Sequence, residues 1–254
     1  MTLVIAAVAV AAGRDWHGVI LVACAVLAGQ LSIGWSNDAR DADRDLRAGR
    51  SEKPTVRGAI SSSTLWSAAF IALVVSITLS YAASGAIGGT AHVISVLSAW
   101  AYNLFLKTTV FSALPYAVSF GLVPAFVTFG LTPPAAPATW VSLTCALMGV
   151  GAHLANALPD VESDRTVSAG GLVAAIGVRA STFASLACLL GAVTLLVAHL
   201  DASMAIQVLL IAIAMVAACV VATFGRGRAL FRFTMALALV DVVLLVLTAA
   251  SITA

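Results

Sequence analysis

The stretch "NDARDADRD", residues 37–45, carries four aspartates, Asp38, Asp41, Asp43 and Asp45, in a chain where charged residues make up only 9%. On a helix, residues four apart lie over one another with about 40° of drift per step, so Asn37, Asp41 and Asp45 form one stripe with Asp38 beside it. About 120 positions later "NALPDVESDR" repeats the spacing with Asn156, Asp160 and Asp164. Stripes of carboxylate and amide oxygens suit a hard divalent cation, and Mg²⁺ takes one or two carboxylates together with waters and phosphate oxygens. Two such stripes facing one another could clamp a diphosphate through bridging metal ions. Carboxylates that merely mark the water boundary of a helix would explain one patch more readily than two matched ones.

Cations follow each stripe. Lys53 and Arg57 come after the first and Arg165 after the second, while Lys107 ends "YNLFLK". All are placed to meet phosphate oxygens, although basic residues beside membrane spans also serve topology. Lys107 stands out because it is the only charge in its connection and lies near Tyr102. Asn103 beside that tyrosine and His153, one turn before Asn156, are further candidates for a shared cavity. Asp241 falls near the middle of the last apolar segment, where an ionisable group is expensive and should face the bundle interior or water.

The elements that must position these residues follow from composition. With 61% apolar residues and a mean hydropathy of +1.07, the 254-residue chain excludes an ordinary water-exposed surface. The runs lack period-2 alternation, so spanning helices are expected rather than a barrel. Nine apolar segments are predicted, near 2–12, 17–45, 59–82, 90–106, 111–131, 139–158, 172–199, 203–224 and 232–252, as one all-α transmembrane domain over 1–254. The first is short for a span, which suggests a truncated helix. Apart from Arg14, every Lys and Arg lies in or beside an even-numbered connection, so those connections and both acidic stripes are expected on the cytoplasmic side of the cell membrane. Trp16, Trp66, Trp100 and Trp140 suit an interfacial belt. A net charge of +2 offers nothing to nucleic acid, and the four cysteines are too scattered for a disulfide framework or a metal cluster.

Together these residues resemble the UbiA superfamily of intramembrane prenyltransferases. Asn37, Asp38, Asp41 and Asp45 match its N-D-x-x-D-x-x-x-D motif, and Asp160 and Asp164 match its D-x-x-x-D motif. Tyr102 and Lys107 are similar to a Tyr/Lys motif in the fourth connection. The resemblance implies a nine-helix bundle around a central cavity, with a prenyl diphosphate held at its mouth by two Mg²⁺ ions. Asn37, Asp41 and Asp45 would hold one ion, and Asp160 and Asp164 the other. Tyr102 and Lys107 would help bind or release the diphosphate. The implied reaction is allylic ionisation followed by capture of the carbocation by an aromatic or other lipophilic acceptor. Phe105, Phe111, Tyr116, Phe120 and Phe126 are candidates to line the path of that cation, and Pro115 and Pro124 to kink the fifth helix around it.

Two other readings compete. A terpene cyclase of the same superfamily would let an internal double bond capture the cation. A cation-coupled transporter would instead need its carboxylates near the bilayer midplane on broken helices, whereas both stripes fall at helix ends.

Overall fold

The computed structural model describes residues 1–47, 53–158, 171–224 and 228–253. The fold is all-α, and the chain is a multi-pass membrane protein. Its helices are α1 (Thr2–Ala11), α2 (Trp16–Arg47), α3 (Ser62–Ala101), α4 (Leu114–Gly121), α5 (Val123–Thr128), α6 (Thr139–Ala157), α7 (Leu172–Ile176), α8 (Val178–Ala198), α9 (Met204–Phe224) and α10 (Arg228–Leu247). A π-helical turn, Tyr102–Leu106, extends α3, and a short 3₁₀ turn, Ala249–Ser251, follows α10.

The length of α2 sets the stage for the acidic stripe. Its 32 residues extend about 48 Å, well beyond a hydrocarbon layer of about 30 Å. Its last turns, which bear the aspartates, therefore emerge from the apolar layer while remaining part of one rigid rod.

Helix α3 is a hairpin. Ser61 caps its start by accepting the Thr64 N–H at 3.1 Å. At Ser84 and Gly85 the backbone leaves helical geometry, and Gly85 adopts φ 62°, ψ −162°, a region open in practice only to glycine. The two arms then run antiparallel. Tyr81 Oη lies 3.2 Å from Thr90 Oγ1, and Ser80 Oγ lies 2.7 Å from His92 Nδ1. The glycines of "GAIGG" are thus largely helical. Gly89 is there because a Cβ would come within 2.8 Å of Tyr81 Cα, so the arms could not otherwise approach.

The fifth predicted segment splits into α4 and α5, each with a proline in its first turn, where a missing N–H is tolerated. The seventh splits into α7 and α8 at Gly177, φ 84°. The main core joins α1, α2, α5, α6, α8 and α10 through Val8, Val22, Val26, Phe126, Val127, Val141, Leu196 and Leu245. Trp100 corrects the interfacial-belt expectation: it is 6% exposed and donates from Nε1 to Ser32 Oγ at 3.2 Å, so it packs the α2–α3 seam.

Arg14, the one cation outside the even-numbered connections, is also not a topology residue. It is 8% exposed. Its Nη1 donates to Ser84 Oγ at 3.0 Å, Val127 O at 3.2 Å and Phe126 O at 3.4 Å, and Nη2 donates to Ala83 O. One guanidinium therefore holds the hairpin tip of α3 to the end of α5.

Candidate active site

The acidic end of the bundle is organised by four hydrogen bonds that cross from the segment following α3 to α2. Asn103 Nδ2 donates to Ile33 O at 2.9 Å and to Ser36 Oγ at 3.1 Å, fixing the two elements in register. One turn further out, Lys107 Nζ donates to Asn37 Oδ1 at 3.1 Å and to Asp41 Oδ2 at 2.5 Å. Residues five apart on an α-helix point about 140° away from each other. The π-helical turn closes with the Lys107 N–H on Tyr102 O at 2.9 Å, and this wider ring brings Tyr102 and Lys107 back toward one side.

Beneath Asn37 lies a cavity of about 400 Å³. It is walled by Ile33, Gly34 and Asn37 of α2, by Ala99, Tyr102 and Asn103, and by Pro115, Tyr116, Ser119 and Phe120 of α4. Tyr102 meets Tyr116 edge-on at 5.1 Å between ring centroids. His153 stands against both rings, 4.5 Å from Tyr116 and 5.7 Å from Tyr102. Deeper down, α2 and α3 close together at Gly29, where a Cβ would come within 3.0 Å of Val96 Cγ2. Phe126 is fully buried, stacked on His92 at 4.2 Å, while Phe105 and Phe111 are 72% and 63% exposed, so these three stand apart from the wall.

Asp38 pairs with Lys53 at 2.5 Å, both partly exposed. Asp45 continues the stripe and is 2% exposed. Arg57 is exposed in the turn after Lys53. Asn156 is exposed at the end of α6. Asp160, Asp164 and Arg165 lie outside the described residues. Asp241 does not line the cavity; it is fully buried on α10, with no hydrogen-bond partner for either carboxylate oxygen among the described residues. Ser112, which sequence reasoning missed, lies 3.0 Å by Oγ from His153 Nε2 and accepts the Leu172 N–H at 3.2 Å. It thereby ties the wall of the cavity to the return of the sixth connection. A serine in "FSALP" carries no local sign of this, because both partners are distant in sequence.

The donor set can be tested for a cation. Among the described residues, no three His, Cys, Asp or Glu side chains form a ready-made metal cluster. Asn37 Oδ1 and Asp41 Oδ2 nevertheless converge on one positive centre, the Lys107 ammonium. Amide and carboxylate oxygens at that spacing fit a partial ligand set for a hard cation completed by other oxygens.

The model of the UbiA prenyltransferase family matches residues 1–251. The chain belongs to this family. Solved UbiA structures share the fold. A UbiA homologue from Archaeoglobus fulgidus bound to GPP and Mg²⁺ superposes with a TM-score of 0.70 at 14% identity, over 99% of this chain and 96% of that one. An apo UbiA homologue from Aeropyrum pernix K1 gives 0.67 at 18% identity, over 94% of each chain. A digeranylgeranylglyceryl phosphate synthase structure gives 0.70 at 15% identity, over 99% of this chain and 92% of that one. No curated protein matches the chain. Asn37, Asp41, Tyr102 and Lys107 are thus gathered at one end of a UbiA fold.

Proposed function

We propose that the protein transfers a prenyl group from an allylic prenyl diphosphate to a lipophilic acceptor within the membrane, with the acidic end facing the cytoplasm. The observation that carries this reading is the Lys107 ammonium held by Asn37 and Asp41, with Asn37 also lining a cavity that has Tyr102, Tyr116 and Phe120 in its wall. A cation and oxygen donors at the mouth suit a diphosphate, and the cavity below suits its hydrocarbon tail. The relatives bound to GPP and Mg²⁺ and to DMAPP and Mg²⁺ support the same choice of donor.

In this reading Asn37, Asp41 and Asp45, with Asp38 beside them, hold one Mg²⁺, and Asp160 and Asp164 with Asn156 hold a second. When bound, Mg²⁺ supplies Lewis-acid neutralisation of the diphosphate oxygens. Lys107, Lys53, Arg57 and Arg165 share the negative charge that grows on the leaving group. The bond between the allylic carbon and the diphosphate oxygen breaks, and its electron pair leaves with the diphosphate. The acceptor then bonds to that carbon and loses a proton. Tyr102, Tyr116 and Phe120 exclude water from the cationic fragment and present π faces to it.

The test is to supply labelled prenyl diphosphates of graded length to the purified protein in nanodiscs, with a membrane lipid extract as acceptor source, in Mg²⁺ or in EDTA. Mg²⁺-dependent release of diphosphate, with label in a larger lipophilic product, is expected. Cyclic hydrocarbon formed without acceptor, or no turnover of any donor, would overturn the transferase reading.

A further inference from the structure

Lys107 occupies an unusual place for a diphosphate ligand, because its ammonium already rests on the oxygens that the first metal ion would use. We infer that Lys107 is the resident counter-ion of the Asn37–Asp41 stripe, and that the site consequently takes its divalent cation as a metal–diphosphate chelate rather than as a free ion. The inference rests on the transferase reading and specifies the form in which its substrate arrives.

The geometry is direct. An ammonium has three donors and no acceptor, and two of its N–H groups go to Asn37 Oδ1 at 3.1 Å and Asp41 Oδ2 at 2.5 Å. A divalent ion of the Mg²⁺ type binds oxygens at about 2.0–2.1 Å, so on this pair it would sit against the Lys107 ammonium and be repelled by it. A free ion therefore competes with Lys107 for the stripe and displaces its ammonium without offering it a new partner. A chelate brings its own remedy, since its phosphate oxygens accept the displaced ammonium in charge-assisted hydrogen bonds.

The backbone confines this exchange to the side chain. The Lys107 N–H is bound to Tyr102 O at 2.9 Å, and the following turn closes through Thr109 N to Leu106 O at 3.0 Å. On the other side Gly171 presses on the Lys107 carbonyl so closely that a Cβ would lie 3.0 Å from that oxygen. The side chain itself is 29% exposed and Asp41 is 19% exposed, which leaves the ammonium an open side toward the mouth. Lys53 makes an ion pair with Asp38, beside the stripe.

Thermodynamic linkage then requires metal and diphosphate to raise each other's affinity by the same factor. The experiment measures Mn²⁺ binding by electron paramagnetic resonance to the full-length protein in nanodiscs, with and without inorganic pyrophosphate and against a protein-free pyrophosphate blank. Wild type should bind Mn²⁺ at least roughly tenfold more tightly when pyrophosphate is present, and Lys107→Met should bind free Mn²⁺ roughly tenfold more tightly than wild type, as expected when a nearby like charge is removed. That gain should vanish in Lys107→Met/Asp41→Ala, while Lys107→Arg, which keeps the charge, should stay at the wild-type value.

Pyrophosphate-independent Mn²⁺ affinity in wild type would overturn the inference without recourse to any variant. So would free-metal affinity that is unchanged in folded Lys107→Met while pyrophosphate-dependent binding persists; that result leaves the transferase reading intact. No Mn²⁺ bound to wild type even with pyrophosphate would remove both.

Discussion

The bundle holds a cation between helices at each of its ends, and the two are held in opposite ways. Arg14 is surrounded mainly by backbone carbonyls of Ala83, Phe126 and Val127, in a site almost closed to solvent. Lys107 is held by two side-chain oxygens, from Asn37 and Asp41, at an end open to water. Backbone carbonyls cannot turn away without unwinding the helices that own them, so the Arg14 end is architectural. Side-chain oxygens can rotate, so the Lys107 end can exchange partners. A single protein thus uses the same elementary attraction for permanence at one end and for turnover at the other.

The contrast is open to direct attack, beginning with the largest effect. Asp41→Ala should lower prenyl-transfer turnover about a thousandfold, the scale of losing one preorganised electrostatic group, while leaving thermal melting near wild type, because Lys107 keeps Asn37. A collapse of the fold in this variant would erase the distinction between the two ends. Arg14→Met should do the converse, destabilising the protein by about 3 kcal/mol through loss of the charged hydrogen bonds that its buried guanidinium makes to Ala83 O, Val127 O and Ser84 Oγ, while the protein that stays folded retains its KM for the donor. Denaturant titration together with steady-state kinetics separates these outcomes. Lys53→Ala should be mildest. Its ion pair with Asp38 is about one-third exposed on both sides, so stability should change by less than about 1 kcal/mol, with the KM for the diphosphate donor rising roughly threefold.

Much of the fold was legible in the sequence because the apolar runs are long and the interruptions are charged or glycine-rich. The hairpin at residues 84–85 sits where one connection was expected, but it is tighter, since Gly88 and Gly89 serve the close approach of two arms and not a loop. The first acidic stripe was legible because four-residue spacing on a helix dictates a shared face whatever surrounds it. Arg14 was not, as its meaning depends on carbonyls at residues 83, 126 and 127 that only the folded chain brings together. The same holds for Ser112, which depends on His153 and Leu172. Trp100 shows the reverse error: a helix-end tryptophan suits an interface by composition, yet Ser32 offers its indole N–H a buried partner.

The π-helical turn has a consequence of its own for length. Tyr102 and Lys107 are aligned by a ring that spans five residues, so adding or removing one residue between them rotates one against the other by about 100° unless the winding changes with it. The interval is therefore a phase setting. Its side chains can vary with their surroundings, but its residue count is tied to the orientation of a tyrosine in the cavity wall and a lysine at the mouth.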